Sequence, residues 1–243
     1  LNYKSPGKLD YKRYVKSPLR YAGGKSLAVG KIIELLPDDV DSVVSPFVGG
    51  ASIEIAISSE LNCEVLAFDI FDILANYWKW QVKDPEGLYE NLKKFEPTRD
   101  EFKRVKNILK LHWDNEKKLN FDSYLASLYF FNSNTSYGPH FLGWPSDIYL
   151  NEERYKKTLE KVKNFRSPKL KVANKSFEKV IPNYPNNFLY CDPPYYLDEG
   201  KTFVGMYPHR NFPIHHKGFK HKLLRDLLKK HNGKWILSYN DCP

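Results

Sequence analysis

Asp192 is followed by two prolines and two tyrosines, in the run Tyr190-Cys-Asp-Pro-Pro-Tyr-Tyr196. The run closes an apolar stretch of strand length. Proline fixes φ and carries no N–H, so Pro193 and Pro194 leave a rigid turn with outward carbonyls beside a carboxylate. Such a set of acceptors can hold an exocyclic amino group through both of its N–H bonds and draw its lone pair out of conjugation. Tyr195 adds a flat face on which an extruded base can stack. The competing interpretation is an ordinary Pro-Pro turn after a strand. Cys191, on the strand itself, reads as packing and not as a nucleophile.

A second constellation is Pro46-Phe-Val-Gly-Gly-Ala-Ser52, between a candidate strand and a candidate helix. Gly49 and Gly50 allow a tight turn and close approach of a ligand. Asp69 ends the next candidate strand, about 20 residues on, where nucleotide-binding α/β folds place an acid that accepts from ribose hydroxyls. Together they suggest an adenosine-like ligand at the carboxyl edge of a sheet; the G-x-G-x-x-G pattern of dinucleotide sites is not matched. A third segment, Ser17-Pro-Leu-Arg-Tyr-Ala-Gly-Gly-Lys25, ends like a phosphate loop. It lacks the upstream glycine (position 19 is Leu) and a preceding strand, so ATP binding is rejected, while Lys25 could hold a carboxylate. His209, His215, His216 and His221 read as a basic loop near a polyanion, since no carboxylate lies at metal-ligand spacing. No metal site is expected.

These motifs need elements to hold them. Apolar, β-rich runs occupy Asp41–Pro46, Cys63–Asp69, Lys169–Ala173, Asn187–Asp192 and Lys234–Tyr239. Helical periodicity appears at Ser26–Leu36, Ser52–Glu60, Ile73–Val82, Thr98–Lys118, Phe121–Phe131, Glu152–Asn164 and Gly218–His231. Alternation of the two predicts an α/β fold, a mostly parallel sheet with helices on both faces. Tyr77, Trp78 and Trp80 on one helix read as core or interface. From 84 to 166 no strand is evident, so this stretch is expected to be an inserted, mainly helical subdomain. It carries an irregular segment over Asn132–Pro145, and irregular segments of this length are usually functional.

The chain has 243 residues, 42% apolar and 28% charged, with net charge +9, which favours a polyanionic partner such as nucleic acid. No run of about 20 apolar residues exists to span a membrane. Leu1–Lys16 lacks the apolar stretch of a secretory signal. Cys63, Cys191 and Cys242 form no C-x-x-C pair, which fits a reducing, cytoplasmic setting. The last strand candidate ends at Tyr239, so further chain is expected beyond Pro243.

Pro18–Lys25, Pro46–Ser52, Phe68-Asp-Ile70 and Asp192-Pro-Pro-Tyr195 occur in the order seen in Dam-type (D12 class, α-group) DNA adenine-N6 methyltransferases, and the chain resembles that family from about Lys16 to Asp241. Ser238-Tyr-Asn-Asp241 resembles the strand end found downstream of Asp-Pro-Pro-Tyr there. Ser45 stands where the family often has Glu, and Tyr21 where Trp is frequent. The resemblance implies a Rossmann-like S-adenosylmethionine-dependent methyltransferase fold, with a catalytic domain over 1–83 and 167–243 and a target-recognition insertion over 84–166.

It further implies S-adenosyl-L-methionine as methyl donor. Tyr21 and Lys25 would contact it, Lys25 near its carboxylate. Phe47, Gly49 and Gly50 would line it, Asp69 bind its ribose, Ile70 flank its adenine, and Ser176 and Phe177 touch the adenine edge. Asp192 would lie between cofactor and target base, with Pro193, Pro194 and Tyr195 completing the catalytic motif. Double-stranded DNA would be the partner, with a flipped adenine methylated at N6. A cognate restriction endonuclease would act on the same site without forming a complex, and the enzyme would be a monomer. Candidate DNA contacts are Asn132, Asn134, Thr135 and Tyr137 for bases, and Arg99, Lys103 and the other cations Lys93, Lys94, Arg104, Lys106 and Lys110 for phosphates. The alternatives are a catalytically silent DNA-binding subunit with this fold, or transfer to cytosine N4 or to RNA.

Overall fold

The computed structural model describes residues 16–196 and 218–241. The chain runs through α1 (Val29–Glu34), β1 (Ser42–Ser45), α2 (Ser52–Glu60) and β2 (Glu64–Asp69). Five helices follow: α3 (Asp72–Lys83), α4 (Pro85–Leu92), α5 (Arg99–Trp113), α6 (Ser123–Thr135) and α7 (Glu152–Lys163). It continues with β3 (Leu170–Asn174), α8 (Phe177–Asn183), β4 (Phe188–Cys191), α9 (His221–Lys230) and β5 (Trp235–Leu237). All five strands expected from the sequence are present, as are the seven expected helices. Two further helices, α4 and α8, start at side-chain caps: Asp84 accepts from the Gly87 N–H with Pro85 in the first turn, and Ser176 accepts from the Glu178 N–H.

Residues pack into two compact units. The first holds Gly24–Phe71 and the described residues from Ser167 onward. Its sheet is wholly parallel, in the order β3-β2-β1-β4-β5. The α/β fold class is thus as expected. Strand connections run outward from β1 to β2 and β3, then resume on the other side with β4 and β5. The order therefore reverses between β1 and β4, and in open α/β sheets that reversal opens a crevice at the carboxyl ends of the strands. Val44 and Leu189 are register partners and both face the α8 and α9 side, where they form a core with Cys191, Phe177, Val180, Leu224 and Leu228. Alternation along a strand sends Val43, Ser45 and Tyr190 to the opposite face, that of α2. Ile53, Ile55, Ala56 and Ile57 of α2 are all buried.

The second unit holds Ser17–Gly23 and Asp72–Arg166. It is helical, with only an isolated antiparallel bridge, Ser136 to Pro145, among the described residues. Tyr77 and Trp78 are fully buried at its centre, Tyr77 stacked on Phe130 at 5.6 Å and Trp78 against Phe165 at 6.2 Å. The Tyr77 hydroxyl donates to Gln81 Oε1 at 3.0 Å, and Gln81 Nε2 donates to the Val162 carbonyl at 3.0 Å, so the polar atoms buried with these rings are partnered. Helix α3, expected with the catalytic residues, packs against α6 and belongs to this unit. Ser17–Gly23 joins it as well, through Arg20, whose backbone N–H donates to Asn134 Oδ1 at 3.1 Å. A tie across 114 residues of sequence has no local signature. No helix among the described residues is long and apolar enough to cross a membrane.

Candidate active site and nucleic-acid interface

In the first unit the loop after β1 and the loop after β4 flank the reversal of strand order. The Val48 N–H donates to the Phe68 carbonyl at 2.8 Å, which holds the glycine turn against the end of β2. Gly49 has φ 45°, in the left-handed region where a Cβ is unfavourable. Ala51 also lies there, at φ 55°, and a non-glycine residue in that conformation costs about 1 kcal/mol. Asp69 braces the turn: Oδ2 accepts from the Gly49 N–H at 3.1 Å and Oδ1 from the Phe71 N–H at 2.9 Å. Burial pushes the Asp69 carboxyl up to about 6, with those N–H groups pulling the other way. Asn174, at the end of β3, donates to the carbonyls of Asp69 and Ile70 at 2.9 and 3.0 Å. Sequence reasoning did not single out Asn174; a polar residue closing an apolar strand at the carboxyl edge was its only signal.

Asp192 follows β4. Its carboxylate pairs with Lys25 Nζ at 2.8 Å, both side chains being less than one-fifth exposed. Burial raises the Asp192 pKa, against the opposing pull of Lys25 and of hydrogen bonds from Ser238 and Tyr195. Burial alone would lower the Lys25 pKa; Asp192 and Tyr195 more than reverse this and raise it. Lys25 Nζ also lies 4.8 Å from the centre of the Tyr195 ring, a cation–π contact. The Tyr195 hydroxyl shares a hydrogen bond with Ser238 Oγ at 3.1 Å, and the Ser238 N–H donates to the Cys191 carbonyl at 2.8 Å. The end of β5 is thereby sewn to the start of the motif. Pro193 is buried and Pro194 half-buried. Beside them Tyr195, Tyr239, Tyr196 and His221 form a string of edge-on aromatic contacts, and Tyr239 bonds His221 through its hydroxyl.

The remaining sites expected in this unit fall as follows. Phe47 and Phe177 pack on each other at 5.4 Å and on Phe219 at 5.8 and 5.2 Å, so part of their apolar surface is core. Ser176 caps α8. Gly50 is buried and Ile70 half-buried. Tyr21 belongs to the second unit. Cys191 is buried, and its thiol is pushed up to about 12, mainly by burial, consistent with packing and not with nucleophilic chemistry. No group of three His, Cys, Asp or Glu side chains converges among the described residues. His209, His215, His216 and Cys242 lie outside them.

In the second unit the segment Asn132–Pro145 is less irregular than expected. Helix α6 continues to Thr135 because its polar side chains bond back into the helix. Asn134 Nδ2 donates to the Phe130 carbonyl at 3.1 Å and Thr135 Oγ1 to the Phe131 carbonyl at 2.6 Å. Asn132 Oδ1 accepts from the Leu142 N–H at 2.8 Å. Asn132, Asn134 and Thr135 are all buried, so in this structure they brace the loop and do not face a partner. Tyr137 is different, at 77% exposed, and so is Trp144, at 79%. The Tyr137 N–H donates to the Trp144 carbonyl at 2.8 Å, which sets the two aromatics side by side on a narrow turn. Lys106 bonds the Gly143 carbonyl at 2.9 Å and lies 5.0 Å from the Trp144 ring centre. Arg20 anchors the turn: its Nη1 donates to the carbonyls of Asn134 and Ser136, both at 2.9 Å, and its guanidinium lies 3.4 Å from the Tyr149 ring centre.

Lys103 is exposed on α5, in line with Arg99, Lys106 and Lys110 at helical spacing. Arg99 makes two bonds to Asp147, at 2.9 and 2.7 Å. Lys93, Arg104 and Lys110 likewise have acidic neighbours, Glu90, Glu101 and Asp114. Exposed pairs of this kind are screened by solvent and weak, so phosphates can replace their acids at little cost.

A glycine turn braced by an acid, and an Asp-Pro-Pro-Tyr motif, meeting where a parallel sheet reverses order, define an α/β site of the methyltransferase type. Residues 21–243 match the D12 class N6 adenine-specific DNA methyltransferases, and the chain belongs to that family. It is 25% identical to the type II methyltransferase M.FokI of Planomicrobium okeanokoites, over 95% of this chain and 36% of that protein. It is 24% identical to the modification methylase StsI of Streptococcus sanguinis, over 93% of this chain and 36% of that protein. To the type II methyltransferase M.CviBI of Paramecium bursaria Chlorella virus NC1A it is 22% identical, over 86% of this chain and 82% of the relative. The chain thus spans about a third of the length of the first two curated relatives and most of the third.

Two outcomes are expected from this geometry. Asp69 titrates above its ordinary value of 3.8, at about 6, so the folded chain keeps a proton that the unfolded chain has already released. Its contribution to stability therefore falls as pH rises from about 4 to about 6. Asp69→Asn, which keeps an acceptor for Gly49, should gain on the wild type by at most about 3 kcal/mol across that window. Urea midpoints against pH would read this, and parallel curves would refute it. Arg20→Ala should cost about 2–4 kcal/mol of local stability. Amide exchange at Tyr137 and Ser146 should accelerate while the sheet amides stay protected; unchanged exchange would deny Arg20 its anchoring role.

Proposed function

We propose that this chain transfers a methyl group from S-adenosyl-L-methionine to N6 of a specific adenine in double-stranded DNA. The observation that carries the reading is the setting of Asp192: a half-buried carboxylate at the carboxyl edge, paired with Lys25, and followed by two prolines and Tyr195. Membership of the D12 class supports adenine as the base. The type II designations of the relatives support a modification role beside an endonuclease that acts on the same sequence.

The residues present suit the donor. Gly49 presents no side chain to a ligand at the turn, and the Asp69 carboxylate has acceptor capacity for ribose hydroxyls beyond the backbone N–H groups that brace it. Ile70, half-buried, offers apolar surface to an adenine, and Lys25 offers a cation to a carboxylate. Bound, the donor supplies an electrophilic methyl on a sulfonium. Asp192 and the Pro193 carbonyl accept both N–H bonds of the target N6, which turns its lone pair toward that methyl. Tyr195 stacks on the extruded base. Flipping costs a few kcal/mol, offset by these contacts. Proximity and preorganised acceptors supply most of the acceleration, and the amino proton leaves after attack. In the second unit, Tyr137 and Trp144 present aromatic faces to bases, and the α5 cations meet phosphates.

Labelled methyl transfer to unmethylated genomic DNA, followed by nucleoside analysis, should yield N6-methyladenine. Asp192→Ala should lower turnover by about 10²-fold or more while cofactor binding survives. Turnover within about tenfold of wild type, or label in N4-methylcytosine, would overturn the reading. Lys103→Ala and Lys106→Ala should each reduce the slope of log affinity against log salt by about 1, alike on cognate and random duplexes. A slope equal to that of the wild type would remove these lysines from the interface.

A further inference from the structure

Glu54 is a carboxyl group that the reaction above does not use. It lies in the first turn of α2, directly after the glycine turn, and is 2% exposed. Ser45 Oγ, at the end of β1, donates to its Oε1 at 2.6 Å. Ser45 and Tyr190 occupy the same face of the sheet, one residue beyond the Val44 to Leu189 register pair, and α2 covers that face. The Tyr190 hydroxyl is buried there with no hydrogen-bond partner among the described residues. Glu54 is within electrostatic reach of Asp192, Asp69 and Tyr190. Glu54 thus feels the charges of both Asp192 and Asp69, and Lys25 is paired with Asp192.

A buried carboxylate is costly unless a cation or several donors compensate it. Glu54 has the Ser45 hydroxyl and its own backbone N–H, against the charges of two nearby acids. Ionising it would set a second negative charge within electrostatic reach of Asp192 and Asp69, which repels both. We propose that Glu54 is a positioning residue that must remain a neutral acid for methyl transfer, so that no second charge competes with that of Asp192. This rests on the methyl-transfer function proposed above.

Burial pushes Glu54 up to about 8; the Ser45 hydroxyl pulls it down, and the charges of Asp192 and Asp69 push it further up. The other groups facing it are Asp69, Tyr190, Lys25 and Asp192. Asp69 lies near 6, Tyr190 is raised far above the tyrosine range by burial, and Lys25 lies above its ordinary value. Asp192, raised by burial, is paired with Lys25.

The test is the pH profile of kcat on DNA with saturating donor. Wild-type kcat should fall roughly tenfold per pH unit above about 8. Glu54→Gln, isosteric and always neutral, should lose that limb, varying by less than about threefold between pH 7 and 9.5 whatever its plateau height. Ser45→Ala removes the hydrogen bond that favours the ionised form, so its limb should move to higher pH. A purely structural Glu54 would lower stability in the variant and leave the limb in place, which would overturn the proposal. If Glu54→Gln fails to fold, the direction of the Ser45→Ala shift decides. A stability measurement needs no activity: wild-type stability should decline as pH rises from about 4.5 toward 8, and Glu54→Gln should lack that part of the decline. A wild type that transfers no methyl at any pH would refute the function itself. An active wild type with a common alkaline limb in all three proteins would refute only the role of Glu54.

Discussion

A carboxylate at the carboxyl edge of a parallel sheet is taken partly out of water, and something must hold its charge. For Asp192 that partner is Lys25, at 2.8 Å, with Ser238 and Tyr195 completing the hydrogen bonds. The rest of the first unit serves this arrangement. Reversal of strand order between β1 and β4 brings the turn after β1 and the Asp-Pro-Pro-Tyr motif to one crevice. The bond from Ser238 to Cys191 ties β5 to that edge. Two prolines then keep the motif from relaxing, because each has its φ fixed by its ring.

The turn after β1 is held by charge as much as by glycine. Asp69 accepts from the Gly49 and Phe71 N–H groups, and Asn174 holds the carbonyls of Asp69 and Ile70. Ala51 holds its left-handed conformation with its N–H donating to the Val48 carbonyl at 2.8 Å and its carbonyl accepting from the Ile55 N–H at 2.9 Å. The acids around the crevice are also graded. Asp69 titrates near 6 and Glu54 near 8, since burial acts on both while N–H donors relieve Asp69 more. Carboxyl groups within electrostatic reach of one another are thereby shifted by different amounts, a common arrangement where proton-sensitive chemistry is done.

The second unit separates structural from accessible polarity. Its buried asparagines and threonine close the end of α6 and hold the following loop, where their hydrogen bonds offset the cost of burying amides. The side chains left outward on the turn are Tyr137 and Trp144, with Lys106 beside the latter. Aromatic faces next to cations suit a partner that is both stacked and anionic. Arg20 supplies the rigidity by spending its donors on loop carbonyls.

Much of this protein was legible in its sequence. Strand periodicity, helix periodicity and the order of the four motifs led to the α/β class, to all five strands and to the family, because those signals are local and depend on side-chain type and spacing alone. Caps explain the two helices missed: one side chain decides each start, and seven- or eight-residue helices carry little periodicity. Tertiary structure alone decided the rest. Asn132, Asn134 and Thr135 look like base readers because their groups can pair with bases, yet burial by neighbours far along the chain turns those groups inward. Glu54 carries no local sign of burial, yet it is interior, because most of α2 is buried against the sheet and its neighbours. The partnership of Lys25 with Asp192 joins residues 167 apart in sequence, and no local pattern encodes it. Type and spacing are written in the chain; burial and pairing are properties of the folded whole, and they set which of its polar groups are left for chemistry.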